Sequence, residues 1–90
     1  MNLFEAFISL ENKKECQNFL KDLCTPKEIK DLSERWEIAK LLNQKTCSYR
    51  EISKITGASL TTVTRVSRFL KDENNNGYKS VFKKMENKND

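Results

Sequence analysis

The chain has 90 residues, 37% hydrophobic and 33% charged, with a formal net charge of +4. A chain of this length makes one small domain whose capacity to bury a core alone is marginal, so self-association is expected. No apolar run approaches the roughly 20 residues of a membrane-spanning helix, and no basic segment leads into a hydrophobic one at the N-terminus, so the expectation is a soluble, cytoplasmic protein.

Residues 2 to 10 place Leu3, Phe4, Phe7 and Ile8 on one helical stripe. So short a helix needs a partner surface. A second helix, capped by Ser9 or Asn12, carries Cys16, Phe19, Leu20 and Leu23 at helical spacing. Both stripes read as core rather than binding surface. Thr25-Pro26-Lys27-Glu28 is the clearest helix start: a threonine cap, a proline at the first position, and a glutamate completing a reciprocal capping box. That helix is expected to reach about Leu42. Its apolar residues Ile29, Leu32, Trp36, Ile38, Ala39, Leu41 and Leu42 occupy more than one stripe, as in a helix with neighbours on several sides. Trp36 shares the stripe of Ile29 and Leu32 and is expected in an interface core.

A polar connector, residues 43–47, leads into the most informative stretch, Ser48 to Lys71. Ser48 followed by Glu51 forms a second capping box, so a helix should begin near Tyr49. Gly57 should stop it in the left-handed conformation that glycine adopts at little cost. Ser59 should then cap another helix, Leu60 to about Lys71. Ile52, Ala58, Val63 and Val66 fall on the inward side, and small Ser53 permits a close helix crossing, as a helix-turn-helix requires. The outward side of the second helix holds Thr61, Thr62, Thr64, Arg65 and Arg68, and no carboxylate. Over residues 45–71, Lys45, Arg50, Lys54, Arg65, Arg68 and Lys71 face Glu51 alone, while the flanks are close to neutral. Clustered positive charge of this kind points to a polyanion.

Asp72 to Gly77 is rich in turn formers. A last short helix is expected from Tyr78 to about Met85, and residues 86–90 are polar enough to form a disordered tail. Residues 1–90 thus read as a single all-α domain of five or six helices, without strand or repeat.

Catalysis finds little support. Histidine is absent, there is no glycine-rich phosphate loop, and the carboxylates are interspersed with lysines as on solvated helix faces. Cys16, Cys24 and Cys47 are widely spaced without C-x-x-C, which argues against zinc and for reduced thiols. The chain is read as a non-enzyme with no metal. Binding has a mechanism: in a helix-turn-helix the second helix enters the major groove with its N-terminal residues at base edges. Thr61, Thr62 and Thr64 suit thymine methyls or base hydrogen-bonding groups, and Arg50, Lys54, Arg65 and Arg68 suit phosphates or guanine.

The segments LCTPKEIKDLSERWEIAKLL and SYREISKITGASLTTVTR, in this order and spacing, give residues Leu23 to Phe82 a resemblance to the Trp repressor family, in particular its YerC/YecD type. The resemblance implies a six-helix subunit that dimerises by interweaving its N-terminal, central and C-terminal helices, leaving the DNA-reading unit projecting. It implies that Leu60, Thr61, Thr62 and Thr64 face DNA and that Arg50 contacts a base or phosphate. Thr25, Arg35 and Arg65 match positions bordering the tryptophan corepressor, the two arginines enclosing its indole ring. Val66 and Phe69, however, stand where the family has small glycine and serine, and such bulk fills the indole space. The expectation is therefore a transcription regulator that represses from a palindromic operator as a homodimer, without tryptophan, Phe69 taking the ligand's place. Two alternatives are a pocket repacked for another small ligand and a protein-interaction module that keeps the helix-turn-helix shape without reading DNA.

Overall fold

The computed structural model describes residues 1–88 as six α-helices, with no strand among them: α1 (Leu3–Ile8), α2 (Lys13–Leu23), α3 (Pro26–Gln44), α4 (Tyr49–Thr56), α5 (Leu60–Lys71) and α6 (Gly77–Lys88). Two compact units share the chain, Met1–Leu32 and the residues from Ser33 onward.

In the first unit, side-chain caps set the helix starts. Asn2 and Glu5 form a capping box at α1, and Asn12 rather than Ser9 caps α2, accepting from the Glu15 backbone N–H at 2.9 Å. Thr25 Oγ1 accepts from the Glu28 N–H at 3.1 Å while Glu28 Oε1 accepts from the Thr25 N–H at 2.9 Å, the box expected at the start of α3. Phe7 and Phe19 meet edge to face at 5.3 Å between centroids. Little else is covered: no residue of α1 or α2 is buried. Phe4 remains 75% and Ile8 82% exposed.

The second unit holds the core. Ile38, Ala39 and Leu42 of α3, Ile52 of α4, Ala58 of the turn, Val63, Val66 and Leu70 of α5, and Phe82 of α6 form one buried cluster. Helix α5 packs against both α4 and α6. Trp36 is half-buried at the margin of this core, its ring stacked on Phe82 at 5.1 Å and on Tyr78 at 6.4 Å.

Three boundaries differ from the sequence reading. Helix α3 continues past Leu42 to Gln44 and ends with Lys45 in the left-handed region at φ 59°, its N–H donating to the Leu42 carbonyl. Left-handed termination is ordinary at a helix end, but the residue doing it here is not the usual glycine or asparagine. Helix α6 opens at Gly77, one residue before the expected Tyr78, and the left-handed residue ahead of it is Asn76, at φ 58°. Asparagine tolerates that region better than most side chains. Helix α6 also runs through Lys88, beyond Met85, because no breaker follows Gly77 and extending a formed helix costs far less than starting one. The part of the expected tail at residues 89 and 90 lies outside the described residues.

Candidate nucleic-acid interface

The site begins with two caps and a glycine. Ser48 Oγ accepts from the Glu51 N–H at 3.1 Å, and Glu51 Oε1 accepts from the Ser48 N–H at 2.9 Å, which fixes the start of α4. Hydrogen bonds donated to the carboxylate, first by the Ser48 backbone N–H and then by the Ser48 hydroxyl, hold the Glu51 carboxyl below the usual glutamate range. Gly57 ends α4 at φ 79°, its N–H donating to the Ser53 carbonyl. Ser53 does more than stay small, because its hydroxyl donates to the Ala58 carbonyl at 2.5 Å. Thr56 Oγ1 donates to the Ile52 carbonyl at 2.8 Å and accepts from the Ala58 N–H at 3.2 Å. The turn is thus bonded from both sides. Ser59 caps α5, accepting from the Thr62 N–H at 3.1 Å.

Two further contacts strap the helices together, and no sequence pattern announces them. The Tyr49 and Ser67 hydroxyls are hydrogen-bonded to each other. Lys71 Nζ lies 5.6 Å from the centre of the Tyr49 ring. The first residue of α4 is thereby tied to the last two turns of α5, which fixes the orientation of the outer face.

On that outer face Leu60, Thr61, Thr64, Arg65 and Arg68 line one shallow open concavity of about 530 Å³. Thr64 Oγ1 donates back to the Leu60 carbonyl at 2.9 Å, which leaves its methyl and a lone pair for a partner. Thr62 is placed differently: it is half-buried, with its hydroxyl 3.0 Å from Ser59 Oγ in the helix cap. Arg50 and Lys54 are exposed on α4, in its first and last turns. The first turn of α5 contains no acidic residue, so its unpaired N–H groups and dipole favour an anion. Its last turn carries Arg68 and Lys71.

The residues expected around a small ligand are dispersed in role. Val66 is 2% exposed and belongs to the core. Phe69 is half-buried beneath Arg65, whose Cζ lies 4.6 Å from the ring centre. Thr25 is committed to capping α3, and Arg35 is half-buried on α3 with no ion pair among the described residues. Cys16, Cys24 and Cys47 are free thiols. No cluster of three metal-ligating side chains occurs among the described residues, and no helix there is long and apolar enough to cross a membrane.

Residues 1–86 match the sequence model of the family described as Trp repressor protein. The chain is 43% identical over 68 residues to YerC of Bacillus subtilis (strain 168), itself uncharacterized, and the match covers 76% of this chain but 64% of YerC. It is 33% identical over 72 residues to the Trp operon repressor homolog of Chlamydia trachomatis serovar D, covering 76% and 77% of the two chains. Among solved structures, a TrpR-like protein from Eubacterium eligens ATCC 27750 superposes with a TM-score of 0.85 at 42% identity, over 92% of this chain and 84% of that one.

Proposed function

The chain belongs to the Trp repressor family, a family of DNA-binding transcription regulators and not of enzymes, and from that premise we propose that it is a repressor acting as a cytoplasmic homodimer on two-fold symmetric operator DNA. The observation that carries this reading is the outer face of α5, where Leu60, Thr61, Thr64, Arg65 and Arg68 share one concave surface on a helix that has no carboxylate of its own. Helix α5 enters the major groove. Leu60, Thr61 and Thr64 meet base edges and thymine methyls, while Arg65, Arg68, Arg50 and Lys54 meet phosphates or guanine. Thr62 holds the N-terminal turn of α5 in shape for that contact.

Dimerisation follows from surface that one chain leaves uncovered. Leu3, Phe4, Ile8 and Leu23 in the first unit, and Val81 and Met85 in the second, are exposed apolar side chains. A second copy covers them, and residues 1–90 then work as one domain of the assembly. Two reading helices in a symmetric dimer address half-sites about one helical turn apart, roughly 34–36 Å.

Repression here does not use tryptophan. Bulky Val66 and Phe69 stand at positions to which the family resemblance assigns small glycine and serine, and Phe69 already lies against Arg65. Genomic fragments retained by the purified chain, compared with and without free amino acids, test the proposal. The same fragments should be retained in both conditions, with calorimetry showing no saturable tryptophan binding. Retention only in the presence of tryptophan overturns the ligand-independent reading, and retention of no fragment overturns DNA recognition.

A further inference from the structure

We propose that Phe69 is a positioning residue for DNA binding, its ring holding the guanidinium groups of Arg65 and Arg68 ready for backbone phosphates. This deepens the DNA-binding reading and rests on it. The Cζ atoms of Arg65 and Arg68 lie 4.6 and 5.2 Å from the Phe69 ring centre, both within cation–π reach. Both arginines also line the concavity along the outer face of α5 that Leu60, Thr61 and Thr64 complete.

A guanidinium has two kinds of surface. Its flat face suits an aromatic ring, whereas its N–H donors radiate in the plane toward phosphate oxygens. Stacking and phosphate contact therefore do not compete. An arginine free in water loses side-chain freedom when it grips a phosphate, and one already resting on a ring loses less. The ring is itself partly covered: Phe69 is half-buried and borders an apolar cleft that Trp36, Tyr78 and Val81 also line. The other partner of Arg68 is weaker. Glu73 Oε1 stands 3.8 Å from its Nε in an exposed ion pair, which a phosphate can displace.

The test uses the full chain carrying Phe69→Leu, Phe69→Met or Phe69→Tyr, each also in an Arg65→Ala/Arg68→Ala background. Three quantities are read: thermal midpoint, arginine Nε–Hε chemical shifts without DNA, and affinity for a duplex recovered by selection with the wild-type chain. Phe69→Tyr is expected to retain the ring-induced shifts and the affinity. Phe69→Leu and Phe69→Met are expected to lose the shifts and weaken affinity by about five- to tenfold, with no further loss in the arginine-free background. Methionine keeps apolar bulk, so one folded variant remains if leucine unfolds the unit. Wild-type binding with unaltered affinity in a folded ring-less variant overturns the positioning role alone. So does a loss that persists undiminished without the arginines. Absence of wild-type binding to any duplex overturns the DNA reading, and with it the purpose assigned to the ring.

Discussion

Gly57 shows how much of the reading unit depends on one backbone conformation. At φ 79° any other residue suffers the clash of Cβ with the following carbonyl, yet a Cβ built there meets nothing within 4 Å. Gly57→Ala should therefore cost about 1 kcal/mol from the backbone alone, without the larger loss of a packing clash. Denaturant unfolding measures this, and a loss above about 3 kcal/mol would mean that the turn has no room to keep its shape. Glu51 supplies a pH dependence. Its folded carboxyl is held low by Ser48, so its contribution to stability is present above the ordinary glutamate value and is lost as pH falls through the lowered folded value. An NMR titration of the Glu51 carboxyl should return toward the ordinary range in Ser48→Ala. The alanine keeps the backbone N–H that is the larger cause, so the return should be partial, and an unchanged midpoint would assign the whole shift to that backbone bond. Both residues are legible in sequence, because serine and glutamate three apart and a glycine after the last helical residue each have one local explanation. The left-handed Lys45 is not, since nothing in the type of that side chain calls for it.

At the scale of elements, α4 and α5 follow directly from their caps. The expected inward residues Ile52, Ala58, Val63 and Val66 are all buried. The alternating Thr62-Val63-Thr64 is resolved by Ser59, whose hydroxyl takes up the Thr62 N–H and starts a helix there. What sequence spacing does not reveal is which polar groups are already spoken for: Thr62 reads as outward on a helical wheel but has its hydroxyl in the cap. The strap of Tyr49 to Ser67 and Lys71 joins residues far apart in sequence, so only the fold brings it into view. Removing it should loosen the reading helix while leaving every phosphate-facing cation in place. Tyr49→Phe keeps the ring under Lys71 but loses the bond to buried Ser67, and should lower stability by about 1 kcal/mol. The salt slope of DNA binding should stay unchanged, and a shallower slope would place Tyr49 at the phosphates instead.

At the scale of the whole molecule, the two units contrast in what they cover. The second buries a cluster of nine apolar residues, whereas the first leaves the N-terminal stripe open, with Phe4 and Ile8 largely in water. The sequence reading takes both stripes as core, which requires a second chain to complete the first unit. On that reading Phe4→Asp or Ile8→Asp should shift the chain toward monomer in sedimentation experiments, and should weaken binding to a symmetric duplex far more than binding to a half-site. A sedimentation profile identical to wild type would remove these residues from the interface. The family likeness extends beyond the reading unit, since 92% of the chain superposes on a TrpR-like neighbour.

The claim on which the rest depends is that the cationic face of α5 grips DNA, and Arg65→Ala tests it most directly. Affinity for a selected symmetric duplex is measured for wild type and variant across a salt series. The variant should bind more weakly, with a log–log salt slope shallower by about 1 for each phosphate that Arg65 neutralises in the wild type. Equal affinity and an equal slope would take Arg65, and with it the outer face of α5, out of the DNA interface.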